Sequence, residues 1–306
     1  MKWNKARQSN NVEDERGSSN GRIGIPFGKG GASIGGIAII ALVGWLMGES
    51  PMQILNQVLN QVGGGNTSST SAPAPQQSTQ HSAQTSSENA GNQEQVAFVK
   101  SILGDTEDTW SQIFSERGKH YTDPKLVLYT SSVNSGCGFA TSATGPFYCP
   151  MDQKVYLDLS FFKEMQQQFS SNNDFARAYV IAHEVGHHVQ QELGITAKIQ
   201  QLAQEGHPMK GANGLSVRQE LQADCFAGVW ANHAQSRHHW LEEGDVDSAL
   251  KTASAIGDDR LEQQAQGRVV PDSFTHGTSE QRVTWFQRGF KSGDIDQCDT
   301  LSAKTL

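Results

Sequence analysis

His183-Glu184-Val185-Gly186-His187 is the stretch of sequence that decides how this chain is interpreted. On an α-helix, positions i and i+4 lie on one face, so the two histidines can bind one metal ion side by side. Glu184 lies about 100° further round the helix, where its carboxylate can reach a metal-bound water without being a ligand. The pattern predicts the metal helix of a zinc hydrolase with Glu184 as general base. The alternative is an amphipathic helix whose histidines are ordinary polar-face residues.

The sequence around this motif favours one helix over residues 174–193. Apolar residues recur at helical spacing, Asn172, Asn173 and Asp174 are good N-cap candidates, and Gly194 follows where a C′ glycine belongs. Gly186 costs the helix about 1 kcal/mol relative to alanine, which indicates that another element, such as a neighbouring backbone, packs closely there. His188 lies about 100° beyond His187, so it is interpreted as a surface residue or one that supports a ligand from behind.

A catalytic zinc needs a third protein ligand, and the next predicted helix supplies candidates. Ser216 and Gln219 form a capping box at its start, and Glu220 and Asp224 follow at i and i+4 on one face. Packed against the histidines, that face would place Glu220 on the metal and Asp224 behind a ligand histidine. The alternative is two solvated acids on an exposed helix.

Together these residues resemble the gluzincin zinc peptidases, which combine His-Glu-x-x-His with a later glutamate ligand that is often followed four residues on by aspartate. More narrowly, the chain resembles the bacterial membrane-anchored "putative neutral zinc metallopeptidase" family. This likeness covers nearly the whole chain apart from a linker, and its blocks are Met1-Lys-Trp3, Asn11-Val-Glu-Asp-Glu-Arg16, Cys137-Gly138, Gly145-Pro-Phe-Tyr-Cys-Pro150, Asp152-Gln-Lys-Val-Tyr-Leu-Asp-Leu159, His276-Gly277, Gln281-Arg282 and Trp285-Phe286. The resemblance implies one zinc ion per chain, held by His183, His187 and Glu220, and a peptide or protein substrate.

The expected fold is mainly α, in the α+β class: a zincin-like helical metallopeptidase domain with a small N-terminal sheet or hairpin. The sequence predicts a helix over about 94–115, a strand over 126–129 and a strand pair around 146–159, followed by almost wholly helical sequence. A strand just before the metal helix could present an edge to an extended peptide.

His276 is the candidate for a further catalytic role, that of donor to the oxyanion of the reaction. It stands in a predicted loop just before a helix capped by Thr278 and Gln281, within one of the blocks shared with the family. The alternative is a structural loop histidine. His207, beside a proline, is a weaker candidate, and His233, His238 and His239 resemble a solvated helix end.

Residues 30–48 form a segment of 19 residues without a charge, and we expect them to be a transmembrane helix in contact with the lipid bilayer. Six basic residues precede the segment, and no Lys or Arg follows it until Lys100. The positive-inside rule then places a basic leader, residues 1–29, in the cytoplasm of a bacterium and the rest of this single-pass inner-membrane protein in the periplasm. The alternative is a signal peptide with a shorter apolar stretch over 37–47.

Composition defines two further regions. Residues 49–94 are interpreted as a flexible low-complexity linker, and residues 95–306 as one metallopeptidase domain. Residues 1–30 carry six basic and three acidic residues, a net +3, so the rest of the chain must carry −11 to reach the total of −8. An acidic domain without a basic stripe argues against a nucleic-acid partner.

The four cysteines include no C-x-x-C pair, so a cysteine-based zinc site is not expected. In an oxidising compartment an even number favours two disulfides. Cys137–Cys149 would close a short Gly/Pro-containing loop, and Cys225–Cys298 follows by elimination. Four free thiols are the alternative, as a cytoplasmic location would imply.

Two functions of other classes stay open. The chain could be a catalytically silent metal-binding scaffold of the cell envelope, although a scaffold would not need Glu184. It could also be a zinc hydrolase of a non-peptide cell-wall amide.

Overall fold

The computed structural model describes residues 1–4, 6–17, 81–169, 174–255 and 257–306, with the backbone alone for 81–90, 166–169 and 266. Within these ranges the chain is mainly helical with a small sheet, which confirms the α+β class. None of the helices in the described ranges combines the length and the apolar character needed to cross a membrane. The expected membrane segment, residues 30–48, lies outside the described residues and stays a prediction.

In the residues that the structure describes, six strands form two sheets. They are β1 (Val12–Asp14), β2 (Lys125–Tyr129), β3 (Ser132–Ser135), β4 (Gly138–Thr141), β5 (Phe147–Cys149) and β6 (Lys154–Asp158). The larger sheet has the order β1-β2-β6-β5, in which β1, β2 and β6 are parallel and β5 is antiparallel to β6. The predicted strand 126–129 and the predicted strand pair are both present. The β3–β4 hairpin was not predicted, and neither was the contribution of the leader strand β1 to the sheet.

Eight helices occur in the described part of the chain: α1 (His81–Glu116), α2 (Ser160–Phe169), α3 (Asp174–Glu192), α4 (Ile195–Gln204), α5 (Leu215–His238), α6 (Asp245–Ala255), α7 (Asp258–Gln266) and α8 (Ser279–Ser292). Helix α3 matches its prediction within one residue. Helix α1 begins well before residue 94, so residues 81–94, which we assigned to the linker, are helical.

The predicted capping box at the start of α5 is wrong. The N-cap residue is Gly214, and Ser216 lies inside the helix. The backbone N–H groups of Leu215 and Ser216 donate instead to the carbonyls of Pro208 and Met209 in the preceding loop. Since loop carbonyls already satisfy these helix-start donors, a side-chain cap is not required.

Helix α5 packs against α3 and α8 so closely that the helix backbones are in contact, which holds the site residues on these helices in place. A Cβ added to Gly186 would lie 3.0 Å from the carbonyl oxygen of Ala223, so the glycine in the metal helix is required by the close approach of α5. Gly228 and Gly289 serve the same purpose between α5 and α8, where added Cβ atoms would lie 2.1 and 1.9 Å from carbonyl oxygens of the facing helix. The sequence correctly indicated a backbone neighbour at Gly186.

Two disulfides join the four cysteines, as Cys137–Cys149 and Cys225–Cys298, and no cysteine is free. The first ties the β3–β4 turn to the edge strand β5. The second ties the C-terminal segment to α5 at the residue after Asp224. Each bond therefore braces an element that borders the site.

Candidate metal centre

His183, His187 and Glu220 come together where α3 crosses α5. One donor atom from each lies within 4.8 Å of the others. His183 Nε2 is 3.1 Å from one Glu220 carboxylate oxygen, and His187 Nε2 is 3.5 Å from the other. The side chains of His187 and Glu220 are 14 % and 19 % exposed, so the cluster can be reached from solvent.

The donor atoms that remain on the two histidines fit a metal site. His183 Nδ1 lies 2.9 Å from Asp224 Oδ1, and His187 Nδ1 lies 3.0 Å from Gln190 Oε1. Each imidazole therefore has its Nδ1 side held by an oxygen and turns Nε2 towards Glu220. Two imidazole nitrogens and one carboxylate are a ligand set that catalytic zinc uses, with one position left for water or substrate.

The charges of the cluster favour a cation. Burial lowers the pKa of His183, but Asp224 and Glu220 outweigh it and raise that pKa to about 10. Burial raises the pKa of Glu220, but the two histidines hold it well below its usual range. The carboxylates of Glu220 and Asp224 therefore create a negative field at the two histidines, which favours a cation there.

Asp224 is the centre of a buried network behind His183. Its carboxylate accepts hydrogen bonds from Tyr179 Oη at 2.5 Å and from Arg282 Nε at 2.8 Å, and the Arg282 guanidinium also reaches the other carboxylate oxygen at 3.0 Å. Burial raises the pKa of Asp224, but Arg282 and His183 outweigh it and lower that pKa to about 2. The carboxylate behind the ligand is therefore held in its ionised form.

Tyr179 and Arg282 are site residues that the sequence analysis missed. Tyr179 stands four residues before His183, hence on the same helix face, and this spacing was the available signal. Arg282 is 58 residues away from Asp224 in sequence, so only the fold brings them together. The sequence feature that pointed to Arg282 was its position in the Gln281-Arg282 block shared with the family.

Glu184 is buried, with 9 % of its surface exposed, beside the two histidines. Burial raises its pKa, and the positive charges of His183 and His187 act in the opposite direction. The metal helix also packs against the edge strand β5, where His188 contacts the Tyr148 hydroxyl. A carboxyl group with a raised pKa is suited both to accept and to return a proton near neutral pH.

His276 lies in the loop before α8, with 48 % of its side chain exposed. Its Nδ1 is 3.2 Å from Asp258 Oδ1, while Asp258 Oδ2 accepts the backbone N–H groups of Thr275, His276 and Gly277. Burial lowers the pKa of His276, but Asp258 and the nearby charge of Glu220 outweigh it and raise that pKa. Asp258, which the sequence analysis missed, thus orients this imidazole, and the next residue, Gly277, lies against Leu221, the neighbour of Glu220 on α5.

The other histidines lie elsewhere. His188 is buried rather than at the surface, and it contacts Tyr148 Oη and the carbonyl of Thr122. His233 is half-buried and contacts the Gly293 carbonyl, whereas His238 is exposed but contacts Asp105. His239 is exposed at the end of α5, as expected. His207 borders a small cavity with Leu202 and Pro208, apart from the metal cluster.

The geometry defines a class of site, that of a two-histidine, one-glutamate metal centre with a buried carboxyl group beside it. The family model for "putative neutral zinc metallopeptidase" matches residues 1–301, and the chain belongs to this family. It is 48 % identical over 307 residues to the uncharacterized protein YpfJ of Escherichia coli strain K12, covering 98 % of this chain and 99 % of that protein. It is 46 % identical over 196 residues to the uncharacterized proteins Mb2605 of Mycobacterium bovis and Rv2575 of Mycobacterium tuberculosis, covering 61 % of this chain and 65 % of each relative. No solved structure matches the chain.

Proposed function

We propose that this chain is a zinc metallopeptidase that hydrolyses peptide bonds, with one zinc ion held by His183, His187 and Glu220. The observation that carries the proposal is the convergence of these three donors next to a buried Glu184. Membership of the family supports the zinc peptidase class.

Zinc in this site would acidify a water molecule and polarise the scissile carbonyl. Glu184 takes the proton from the attacking water and passes it to the leaving amine, and the raised pKa of its carboxyl group suits both transfers. His276, protonated and oriented by Asp258, donates a hydrogen bond to the developing oxyanion. Asp224 keeps His183 in the orientation that presents Nε2.

The edge strand β5 is the proposed binding site for substrate. Among the described strands it pairs with β6 alone, so no other described strand occupies its outer edge, and its residue Tyr148 contacts His188 of the metal helix. A peptide that pairs with β5 would run past the catalytic carboxyl group. This arrangement favours a peptide or protein substrate over a compact cell-wall amide.

A catalytically silent scaffold is the alternative. It would require the three ligands and Asp224, but neither Glu184 at the cluster nor an oriented His276. The placement of both residues favours the enzyme.

We also propose that residues 30–48 contact the bilayer and that the catalytic domain lies outside the cytoplasm. The two disulfides support the second part, because such bonds persist in oxidising compartments.

The test is hydrolysis by the purified full-length protein, offered a mixed peptide library and, separately, cell-wall amides. We expect cleavage of peptides, and Glu184→Gln should lower it by roughly 100-fold or more at unchanged zinc content. Glu164→Gln is the matched control, since Glu164 lies on α2 and is not one of the site residues. Cleavage of cell-wall amides alone would favour a zinc hydrolase of a non-peptide cell-wall amide. Zinc binding without any Glu184-dependent cleavage would favour the catalytically silent scaffold.

A further inference from the structure

Residues 1–4 and 6–17 pack into the domain that carries the metal site. Trp3 packs its ring edge-on against Phe98 of α1, with 5.3 Å between ring centroids, and its Nε1–H donates to Asp174, the first residue of the metal helix. Met1, Trp3, Ala6 and Val12 all pack against the main hydrophobic core. The leader thus contacts the helix that bears His183 and His187.

The polar contacts of the leader with α1 are equally specific. Arg7 donates to Glu107, to Asp108 and to the carbonyl of Gly104. Ser9 is buried, donates to Glu107 and gives its backbone N–H to the carbonyl of Lys100. A buried hydroxyl paired with a buried carboxylate indicates a native packing interface, because either group alone would be left unsatisfied.

The strand β1 completes this docking. It pairs in parallel with β2 in the register Val12↔Leu126, Glu13↔Val127 and Asp14↔Leu128. Glu13 forms ion pairs with Lys125 of β2 and Lys154 of β6. Strand β1 of the leader therefore forms one edge of the larger sheet, and β5 forms the other edge.

Helix α1 carries a residue that fits this docked leader. A Cβ added to Gly104 would lie 2.8 Å from the carbonyl oxygen of Arg7 and 3.1 Å from the backbone nitrogen of Ser9. A mid-helix glycine is unfavourable unless something requires the space, and here the leader backbone occupies it.

We infer that residues 1–4 and 6–17 of the basic leader are an integral part of the metallopeptidase domain and lie on the same side of the membrane as the metal helix. A single crossing by residues 30–48 would separate residues 1–17 from residues 81–306, and the observed contacts could not form. This replaces the topology expected from the positive-inside rule. Three of the basic residues counted by that rule, Lys2, Arg7 and Arg16, are engaged in ion pairs within the described structure. The inference does not depend on the proposed chemistry at the metal site.

The first test is the sign of the stability change on Gly104→Ala in the purified full-length protein. In a helix without a docked leader, this change would raise the melting temperature by roughly 2–4 °C. With the leader docked, the methyl group meets the Arg7 carbonyl, and we expect the melting temperature to fall by at least as much. Gly91→Ala is the matched control, because it lies on the same helix with nothing within 4 Å of the added Cβ, and it should not lower the melting temperature. A rise with Gly104→Ala would overturn the docking.

The second test is labelling by a membrane-impermeant maleimide in intact spheroplasts and after lysis. Gln8→Cys reports on the leader and Gln200→Cys on α4; both positions are exposed, and the native cysteines are all in disulfides. We expect the two variants to behave alike, labelled in intact spheroplasts. If both react only after lysis, the shared side holds and the extracytoplasmic location fails. If Gln200→Cys reacts in intact spheroplasts and Gln8→Cys only after lysis, the inference is refuted.

Discussion

Replacing Arg282 by methionine should destabilise the protein through Asp224. The side chain of Arg282 is 3 % exposed and that of Asp224 is fully buried, so the pair lies inside the core. Met keeps most of the volume but leaves a buried carboxylate without its guanidinium partner. Breaking a buried ion pair from one side costs about 3–5 kcal/mol. For a chain of this size that free energy corresponds to a fall in melting temperature of roughly 6–20 °C.

The assay is thermal unfolding of the full-length protein, with Arg288→Met as the matched control. Arg288 lies on the same helix and is exposed, and its Cζ lies 4.3 Å from the centroid of the Trp285 ring. Losing this cation–π contact should lower the free energy of unfolding by about 1 kcal/mol or less. The double variant Arg282→Met with Asp224→Asn should recover part of the loss, because a neutral amide needs no counter-charge. The zinc affinity of that double variant should remain about 10–100-fold below that of the wild-type protein, because Asp224 also holds His183. If Arg282→Met unfolds at the same temperature as Arg288→Met, or if the two changes simply add, the network does not work as described.

The remaining predictions concern pH and the disulfides. Since the pKa of His276 is raised above 6.5, its protonated form persists above that pH and is lost as the pH rises through the raised pKa. Asp258→Asn removes the carboxylate that raises the pKa, so the alkaline limb of kcat/KM should move to lower pH. The exposed Asp272→Asn should not move it, and an unmoved limb in Asp258→Asn would remove His276 from the mechanism. Replacing Cys225 and Cys298 together by serine should weaken zinc binding less than Asp224→Asn does, because the bond braces α5 next to Asp224. Replacing Cys137 and Cys149 should instead raise KM with unchanged zinc content, because that bond holds the edge strand β5. Equal effects of the two pairs on zinc affinity would contradict this division.

What could be predicted from the sequence is what local spacing determines. The i, i+4 pairs His183/His187 and Glu220/Asp224 placed their side chains on two helix faces, and the structure brings those faces together. The capping box at Thr278 and Gln281 is likewise a local pattern, and it is present. Such features depend on backbone periodicity within a few residues, which a sequence displays directly.

What escaped prediction depends on contacts between residues distant in sequence. Arg282 reaches Asp224 across 58 residues, and Trp3 reaches Asp174 across 171. The packing of residues 6–17 on the domain escaped prediction for the same reason, since Arg7 is paired with Glu107 and Asp108 on the distant helix α1. Charge counts contain no information about a partner that only folding supplies.

The central claim is that two histidines and one glutamate hold one zinc ion. Zinc-edge X-ray absorption spectroscopy of the full-length protein, with metal content measured on the same sample, tests it most directly. We expect one zinc per chain, two imidazole nitrogens at about 2.0–2.1 Å, carboxylate oxygen at about 2.0–2.2 Å and no sulfur at about 2.3 Å. We also expect Glu220→Ala to lose the ion. Stoichiometric zinc retained in Glu220→Ala with an unchanged spectrum would contradict the assignment of the site.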